Sequence, residues 1–296
     1  MFTEEEIGKL LEAGKIVKAT REMAPRLVFE GARLIDICEG VEAEIRGRGG
    51  KPAFPCNVSI NEIGAHYTSP PGDTRVVPAG SLVKVDIGAR VDGFLADSAV
   101  TVSVGSDNAD MIRVAESALE KAIQAVKIGG KISDVGSVVE KTIKSQGYKP
   151  IRNLTGHQIS EYTIHAGVSV PNVADVGALG KFQPWSIYAL EPFVTLPDAD
   201  GHIEEGPLGN ILHLAKLKKP KDAEERKYFE EIYAGFRTLP FAKRWVSGFK
   251  GFGLTGRMIG DRALYEYPTL VEASGKPIAQ AEHTLLTTDK DIIITT

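Results

Sequence analysis

Apolar residues spaced three and four apart are the clearest pattern in the chain, and this spacing is typical of helices that bury one face. The first such stretch follows Thr3, and Glu6 completes a capping-box signature at its start. The second runs from about Leu34 to Arg48 and stops at two glycines. Further helices are predicted at 110–127, 133–145 and 224–236.

Runs rich in β-branched residues predict strands at Ser81–Ile87 and Phe94–Val104. Asp92-Gly93 stands between them and is typical of a two-residue hairpin turn. Other strands are expected at 187–195, 281–287 and 292–294. From 196 to 267 the chain becomes charged and glycine-rich around the predicted helix. We interpret this stretch as an inserted helical subdomain.

An internal repeat links the first and second parts of the chain. Residues 31–52 match residues 129–150 at eight of 22 positions, with a constant offset of 98. Each copy contains a glycine turn, a helix, a glycine stop and Lys-Pro. We therefore predict an α/β (α+β) fold of two similar halves, about 1–105 and 106–195 with the C-terminal strands, related by a pseudo-two-fold axis around a central antiparallel sheet. A cleft between the halves is the expected place for a site.

Composition narrows the class of protein. With 296 residues, 43% hydrophobic and 25% charged, the chain suits one soluble domain that carries an insertion. A net charge of −4 without a basic block argues against specific nucleic-acid binding. No apolar run approaches the ~18 residues of a membrane span, and the acidic N-terminus is unlike a signal peptide. We expect a cytoplasmic monomer, with a buried thiol at Cys38.

Two carboxylates flank the predicted hairpin and are the first candidates for chemistry. Depending on which residues form the turn, Asp86 and Asp97 lie directly opposite each other or two residues apart on the same face. In apolar surroundings such like charges repel, and a bound cation would relieve the repulsion. The alternative is an exposed Asp97 and a strand-end Asp86, and the hairpin alone favours neither.

Three further residues favour a metal. His157 follows a glycine just after the second Lys-Pro, Glu191 stands in a predicted apolar strand, and Glu282 opens another. Each alone is more often a polar residue with a local partner. Charged residues within several strands, spread over both halves, are harder to explain without a metal.

Together these residues resemble the ligand set of the methionine aminopeptidases and their pita-bread-fold relatives. The resemblance covers nearly the whole chain, in the family's order: Asp86 and Asp97, Gly156-His157, Glu191-Pro192-Phe193, Glu282-His283-Thr284, and also 51–55, 57–61, 65–67, 85–88, 92–94 and 165–167. The spacing of 91 between Glu191 and Glu282 is similar to the type II branch, whose helical insertion lies between these carboxylates. With no polybasic extension before Met1, the chain resembles the short archaeal form.

The resemblance implies a dinuclear centre of two divalent ions: Asp97 and Glu282 would bridge both, Asp86 would complete one site, and His157 with Glu191 the other. The charge of two such ions would balance the four carboxylates. Oxygen ligands with one imidazole suit Co, Mn, Fe or Zn. Two metals ~3.5–4 Å apart can hold and acidify a bridging water. Glu191 is then the expected general base.

The resemblance also implies residues that meet the substrate. His165 is expected to stabilise the developing oxyanion, and His66 to hydrogen-bond the peptide. Phe54, Ile164 and Tyr267 match positions that line the methionine pocket, although core packing explains Phe54 and Ile164 almost as well. The implied substrate is the N-terminal methionine of nascent polypeptides, and the ribosomal exit region is a candidate contact.

Two alternatives stay open. A prolidase or aminopeptidase P-like Xaa-Pro peptidase uses the same five ligands. Such enzymes usually carry a whole domain before the first ligand, whereas only 85 residues precede Asp86. A non-catalytic pita-bread binding module would typically have lost ligand residues, and all five are present here.

Overall fold

The computed structural model describes residues 2–175 and 177–296. Its α-helices are α1 (Glu4–Met23), α2 (Leu34–Gly47), α3 (Asp110–Ala125), α4 (Ile132–Ser145), α5 (Ala223–Phe236), α6 (Lys243–Val246) and α7 (Thr255–Gly260), with 3-10 turns at Ala24–Leu27 and Phe252–Leu254. Its strands are β1 (Lys51–Pro52), β2 (Asn57–Ile60), β3 (Ile63–Ala65), β4 (Ser81–Val91), β5 (Phe94–Val104), β6 (Lys149–Pro150), β7 (Thr155–Ile159), β8 (Ser169–Pro171), β9 (Ser186–Leu190), β10 (Phe193–Thr195), β11 (Ile203–Leu214), β12 (Phe241–Ala242), β13 (Leu264–Glu272), β14 (Ile278–Gln280), β15 (His283–Thr287) and β16 (Ile292–Ile294).

Helix α1 begins at the predicted capping box. The Thr3 hydroxyl accepts from the Glu6 N–H at 3.3 Å, and the Glu6 carboxylate accepts from the Thr3 N–H at 2.7 Å. Ala13 and Val17 belong to the buried face, which lies against strands β4 and β5. The helix therefore packs across the first sheet with one apolar face. Cys38, on α2, is buried as predicted.

The two halves repeat as predicted. Helix α4 begins and ends 98 residues after α2, and strand β6 lies 98 residues after β1. Gly49 and Gly147 follow the two helices with φ angles of 88° and 85°. This left-handed region suits glycine, which has no Cβ to clash. The same glycine signal, 98 residues apart, thus gives the same left-handed turn after both helices.

All of the strand pairs that position the site are antiparallel. In the first half, β4 pairs with β1, β2 and β5. Val91 pairs with Phe94, so Asp92-Gly93 forms the predicted two-residue turn. In the second half the strand order is β16-β15-β9-β7-β8, and a smaller sheet has the order β14-β10-β6.

Two predicted strands are broken, and each break falls at an acidic residue. The expected strand 187–195 is divided into β9 and β10 by Glu191-Pro192, and the expected strand 281–287 begins only at His283. The prediction of continuous strands through Glu191 and Glu282 is therefore wrong. Proline has no N–H to donate to a ladder, which explains the first break. The strand predicted at 292–294 is confirmed.

The stretch 196–267 is mixed rather than helical. Helix α5 is present as predicted, but β11 and β13 form a long antiparallel pair from Ile203↔Glu272 to Leu214↔Leu264. Strand β13 also crosses the expected boundary at 267. Tyr228 belongs to a separate apolar cluster that joins α5 to this strand pair. No helix in the described ranges is long and apolar enough to cross a bilayer.

Candidate active site

A cavity of about 360 Å³ opens where the two halves meet. Every residue predicted for the site lines it: Phe54, His66, Asp86, Asp97, His157, Ile164, His165, Glu191, Tyr267 and Glu282. These side chains come from both halves and from the stretch 196–267. The structure therefore brings together residues that are up to 228 positions apart, from Phe54 to Glu282.

The first half contributes two carboxylates from one hairpin. In the register of β4 and β5, Asp86 pairs with Ala99, and Gly88 pairs with Asp97. The two carboxylates are therefore diagonal neighbours on one face, the second of the two arrangements that the sequence left open. The hairpin alone brings them close, because its register follows from the turn.

The second half contributes an imidazole and two carboxylates. His157 lies on β7, whose close approach to β9 requires the glycine before it: a Cβ on Gly156 would lie 2.3 Å from the Ala189 oxygen. Glu191 directly follows Leu190, the last residue of β9, and Glu282 directly precedes His283, the first residue of β15. Leu190 and His283 are paired. The strand breaks thus place both glutamates at the same end of the β9–β15 pair.

The five side chains converge on one point. His157 Nε2 lies 3.6 Å from Asp97 Oδ2 and 3.6 Å from Glu191 Oε1. Asp97, His157 and Glu282 are buried, and each offers a ligand atom within 4.8 Å of the other two. This clustering is the geometry of a metal site with oxygen and imidazole ligands.

The carboxylates repel one another when no cation is near. Burial raises the pKa of Asp86 to about 7. Burial and neighbouring carboxylates raise the pKa values of Asp97, Glu191 and Glu282 well above their ordinary range. Buried like charges are tolerated when a cation lies between them.

The donor set fits a divalent metal. Asp86 Oδ1 and Asp97 Oδ1 are buried and have no hydrogen-bond partner within the described chain, as expected of atoms that would ligate an ion. Burial also lowers the pKa of His157 to about 3. Its ring is therefore neutral at pH 7, which is the form that binds metals.

Two further histidines border the carboxylate cluster. The ring of His165 meets that of His157 edge-on, with centroids 4.5 Å apart, and the ring of His66 lies 5.2 Å from that of Tyr267. Burial and the neighbouring His165 lower the pKa of His66 to about 4, and burial lowers that of His165. Both rings are therefore neutral at pH 7. A neutral imidazole has one nitrogen that donates and one that accepts.

The side chain of His283 does not line the cavity. It follows Glu282 directly, and its side chain lies on the other face, where the ring contacts Arg21 and Thr296. His202 and His213 also lie outside the cavity lining.

Sequence reasoning missed Gln280. Its side-chain amide is buried and donates to Glu191 Oε2 and Glu282 Oε2, both at 3.3 Å. Gln280 stands two residues before Glu282, a spacing that puts both side chains on one face of an extended chain. Ile211 and Pro240, from the stretch 196–267, were also missed; an apolar lining residue has no sequence signal that separates it from a core residue.

Comparison with known proteins defines the family. The sequence matches metallopeptidase family M24 over residues 8–216. The methionine aminopeptidase of Saccharolobus solfataricus is 40% identical over 304 aligned positions, which cover 100% of this chain and 99% of that protein. The chain belongs to metallopeptidase family M24, so the predicted class, a hydrolase that uses divalent metal, is confirmed. The comparison favours the methionine aminopeptidase interpretation over the Xaa-Pro peptidase and the non-catalytic module.

Solved structures agree with this family. The methionine aminopeptidase from Thermotoga maritima has a TM-score of 0.71 at 24% identity, covering 100% of this chain and 98% of that one. A thermophilic Arx1 has a TM-score of 0.84 at 16% identity, covering 100% and 91%. At these identities the likeness concerns the fold alone. The predicted pita-bread fold is confirmed.

Proposed function

We propose that this protein removes the N-terminal methionine of nascent polypeptides by hydrolysis at a dinuclear metal centre. The observation that carries the proposal is the cluster of four carboxylates and one imidazole that lines the cavity between the halves. The full-length similarity to a methionine aminopeptidase supports it independently. The family resemblance implies that Asp97 and Glu282 would be the bridging ligands, and each offers a ligand atom within 4.8 Å of the other.

Two divalent ions would nearly neutralise the negative charge of the cluster. Four ionised carboxylates carry four negative charges, so two divalent cations make the centre nearly neutral. Asp86 would complete one site, and His157 with Glu191 the other. When bound, the ions supply polarisation of the scissile carbonyl and a water acidic enough to lose a proton at neutral pH. Co, Mn, Fe and Zn all suit this donor set.

The remaining steps belong to side chains of this chain. Glu191 takes the proton of the attacking water and passes it to the amine that leaves when the peptide bond breaks, and the Gln280 amide donates to Oε2 of this carboxylate. His165 donates to the oxygen that gains charge in the transition state. His66, beside Tyr267, holds the peptide near the scissile amide. Since both rings are neutral at pH 7, each keeps the N–H that such a contact needs.

Methionine selectivity is assigned to the apolar part of the cavity. Phe54 and Ile164 are nearly buried and line it together with Tyr267. Ile211 and Pro240 extend the lining from the stretch 196–267. We accordingly propose that 1–195 with 268–296 form the catalytic unit, and that 196–267 is the type II insertion, which closes the pocket.

A substrate comparison tests the activity. The purified protein, loaded with Mn²⁺ or Co²⁺, is expected to release methionine from Met-Ala-Ser and to leave Xaa-Pro peptides intact. Cleavage of Xaa-Pro peptides alone would refute the methionine assignment. Absence of any peptidase activity with all metals tested would favour the non-catalytic module.

A metal titration tests the centre separately. Calorimetric titration of the metal-free protein with Mn²⁺ is expected to give two binding events, and Glu282→Gln should lose at least one of them. A single event in the unmodified protein would contradict the dinuclear proposal. Action in the cytoplasm as a monomer stays a prediction, as does contact with the ribosomal exit region.

A further inference from the structure

Between strand β5 and strands β14 and β15, the two halves are joined by side-chain hydroxyls. No backbone ladder joins β5 to β14 or β15 in the ranges that the structure describes. Instead, the Thr284 hydroxyl accepts from the Asp97 N–H and donates to the Asp97 carbonyl, both at 2.8 Å. The Thr101 hydroxyl does the same for Gln280, at 2.9 and 2.7 Å. We name this boundary the hydroxyl seam. It passes between the two proposed bridging ligands, so their separation depends on side chains.

The guanidinium of Arg21 lies on the reverse face of the hydroxyl seam, the face opposite the two carboxylates. Arg21, on α1, places Nη1 2.9 Å from the Ser98 hydroxyl and 2.8 Å from Nδ1 of His283. The Ser98 hydroxyl donates in turn to the Glu282 carbonyl at 2.5 Å. Ser98 directly follows Asp97, and His283 directly follows Glu282. A single guanidinium therefore ties together the residues that follow the two carboxylates.

This arrangement acts on the carboxylates through the backbone. Successive side chains of an extended strand point to opposite faces, so Arg21 binds the Ser98 and His283 side chains from the helix side and makes no hydrogen bond to either carboxylate. Arg21 thus acts on the positions of Asp97 and Glu282 through the residues that follow them.

The space around Arg21 allows its role to be tested chemically. A second cavity of about 420 Å³ lies on this reverse face, and Arg21, Thr101, Glu116 and His283 line it. Removing the arginine side chain would enlarge a cavity that already exists. A small cation added to the solution can then enter the same place.

We propose that Arg21 is a positioning residue for the metal centre. It fixes the distance between Asp97 and Glu282 by fastening Ser98 and His283 to each other across the hydroxyl seam. This inference rests on the proposed function, since it concerns the two carboxylates assigned as bridging ligands. Residues that hold metal ligands in place typically change metal affinity about 10- to 100-fold when they are removed.

The test is a calorimetric titration of the metal-free, full-length protein with Mn²⁺. Arg21→Ala is expected to weaken Mn²⁺ binding about 10- to 100-fold, with KM for Met-Ala-Ser unchanged at saturating metal, because Arg21 lies outside the substrate cavity. Guanidinium chloride at millimolar concentration should restore affinity to this variant and leave the unmodified protein unaffected. Lys15→Ala is the matched control, because Lys15 is an exposed cation on the same helix.

Ser98→Ala keeps the experiment decisive if Arg21→Ala does not fold. It removes one link of the arrangement and is expected to weaken Mn²⁺ binding in the same direction, by a smaller factor. Wild-type Mn²⁺ affinity in a folded Arg21→Ala protein, or in Ser98→Ala where the first variant is lost, would overturn the inference. Failure of the unmodified protein to bind Mn²⁺ would overturn the proposed function instead.

Discussion

The two halves of the molecule share a backbone plan but close their central strand pairs differently. In the first half, β4 and β5 are joined by the two-residue turn Asp92-Gly93. In the second half, β9 and β15 form a comparable antiparallel pair, with His283 opposite Leu190, yet the whole stretch 196–267 lies between them. A two-residue turn fixes the register of its two strands locally. Pairing strands that are far apart in sequence costs the entropy of closing a long loop. The first half can therefore position its carboxylates alone, and the second cannot.

The two halves also carry different side chains at equivalent positions of the repeat. Ser59 on β2 stands 98 residues before His157 on β7, and both side chains are buried. The first half places a hydroxyl where the second places the imidazole ligand. Equivalent positions of the two halves thus carry chemically different side chains.

Removing one carboxylate from the first half should have the largest effect. Asp97→Asn is expected to lower kcat/KM for Met-Ala-Ser about 1000-fold or more, since metal polarisation is worth several kcal/mol and each ~1.4 kcal/mol changes a rate tenfold. Glu282→Gln, the counterpart from the second half, should cause a similar loss. Asp92→Asn on the same hairpin is the control, because its carboxylate is exposed at the turn. Full activity of Asp97→Asn would refute the metal assignment.

The contact of Glu42 with the stretch 196–267 is expected to have the second-largest effect, which is on the free energy of unfolding. Buried Glu42 on α2 contacts Arg244, accepts from the Trp245 indole at 2.7 Å and accepts from the Cys56 N–H at 3.2 Å. Glu42→Ala leaves a buried arginine without its partner and is expected to cost about 3–5 kcal/mol in urea unfolding.

Glu44→Ala, on the same helix, is the matched control for this contact. Glu44 forms a partly exposed pair with Arg48, and such pairs contribute about 0–1 kcal/mol. If Glu42→Ala and Glu44→Ala lower the free energy of unfolding equally, Glu42 does not stabilise the contact with the stretch 196–267.

The turn of the first half offers a sharper test of local closure. Gly93 has φ 125°, and a Cβ there would lie 2.3 Å from a Tyr162 ring carbon. Gly93→Ala is expected to destabilise the protein by about 1–3 kcal/mol. Gly105→Ala separates the two causes, because Gly105 has φ 68° and open space around it, and it should cost about 1 kcal/mol. Equal losses would exclude the Tyr162 contact as a contributor.

The smallest effect on the free energy of unfolding is expected at Glu272, which follows the stretch 196–267. Buried Glu272, at the end of β13, accepts from the N–H groups of Gly201, Ser274 and Lys276. Burial would raise its pKa, but these bonds and the Ser274 hydroxyl lower it below the ordinary 4.5. Glu272→Gln should therefore cost about 1 kcal/mol at pH 7.

The pH dependence of this effect has a definite sign. A carboxyl whose pKa is lowered by folding contributes stability above its unfolded pKa and loses that contribution as pH falls through the folded one. The difference in unfolding free energy between the unmodified protein and Glu272→Gln should shrink as pH falls from about 5 to below 4. A difference that stays constant over this range, measured by urea unfolding, would contradict the assignment.

Much of the site could be predicted from the sequence because its signals are local. The capping box at Thr3, the Asp92-Gly93 turn and the 98-residue repeat each depend on neighbouring residues, and each is confirmed. The hairpin placed Asp86 and Asp97 on one face because side chains alternate along a strand. The remaining ligands entered through a family resemblance, since no local rule connects His157 with Glu282.

Only the tertiary structure decided how the second half completes the site. It began the expected strand 281–287 only at His283, and it brought the Gln280 amide to the carboxylates of Glu191 and Glu282. It also placed Arg21 behind the hydroxyl seam, 262 positions from the His283 ring that it contacts. Periodicity and propensity describe what a residue's neighbours in the chain allow, whereas these contacts depend on packing between segments far apart in sequence. The sequence therefore determined the elements and the candidate ligands, and the packing of the two halves decided their distances and their support.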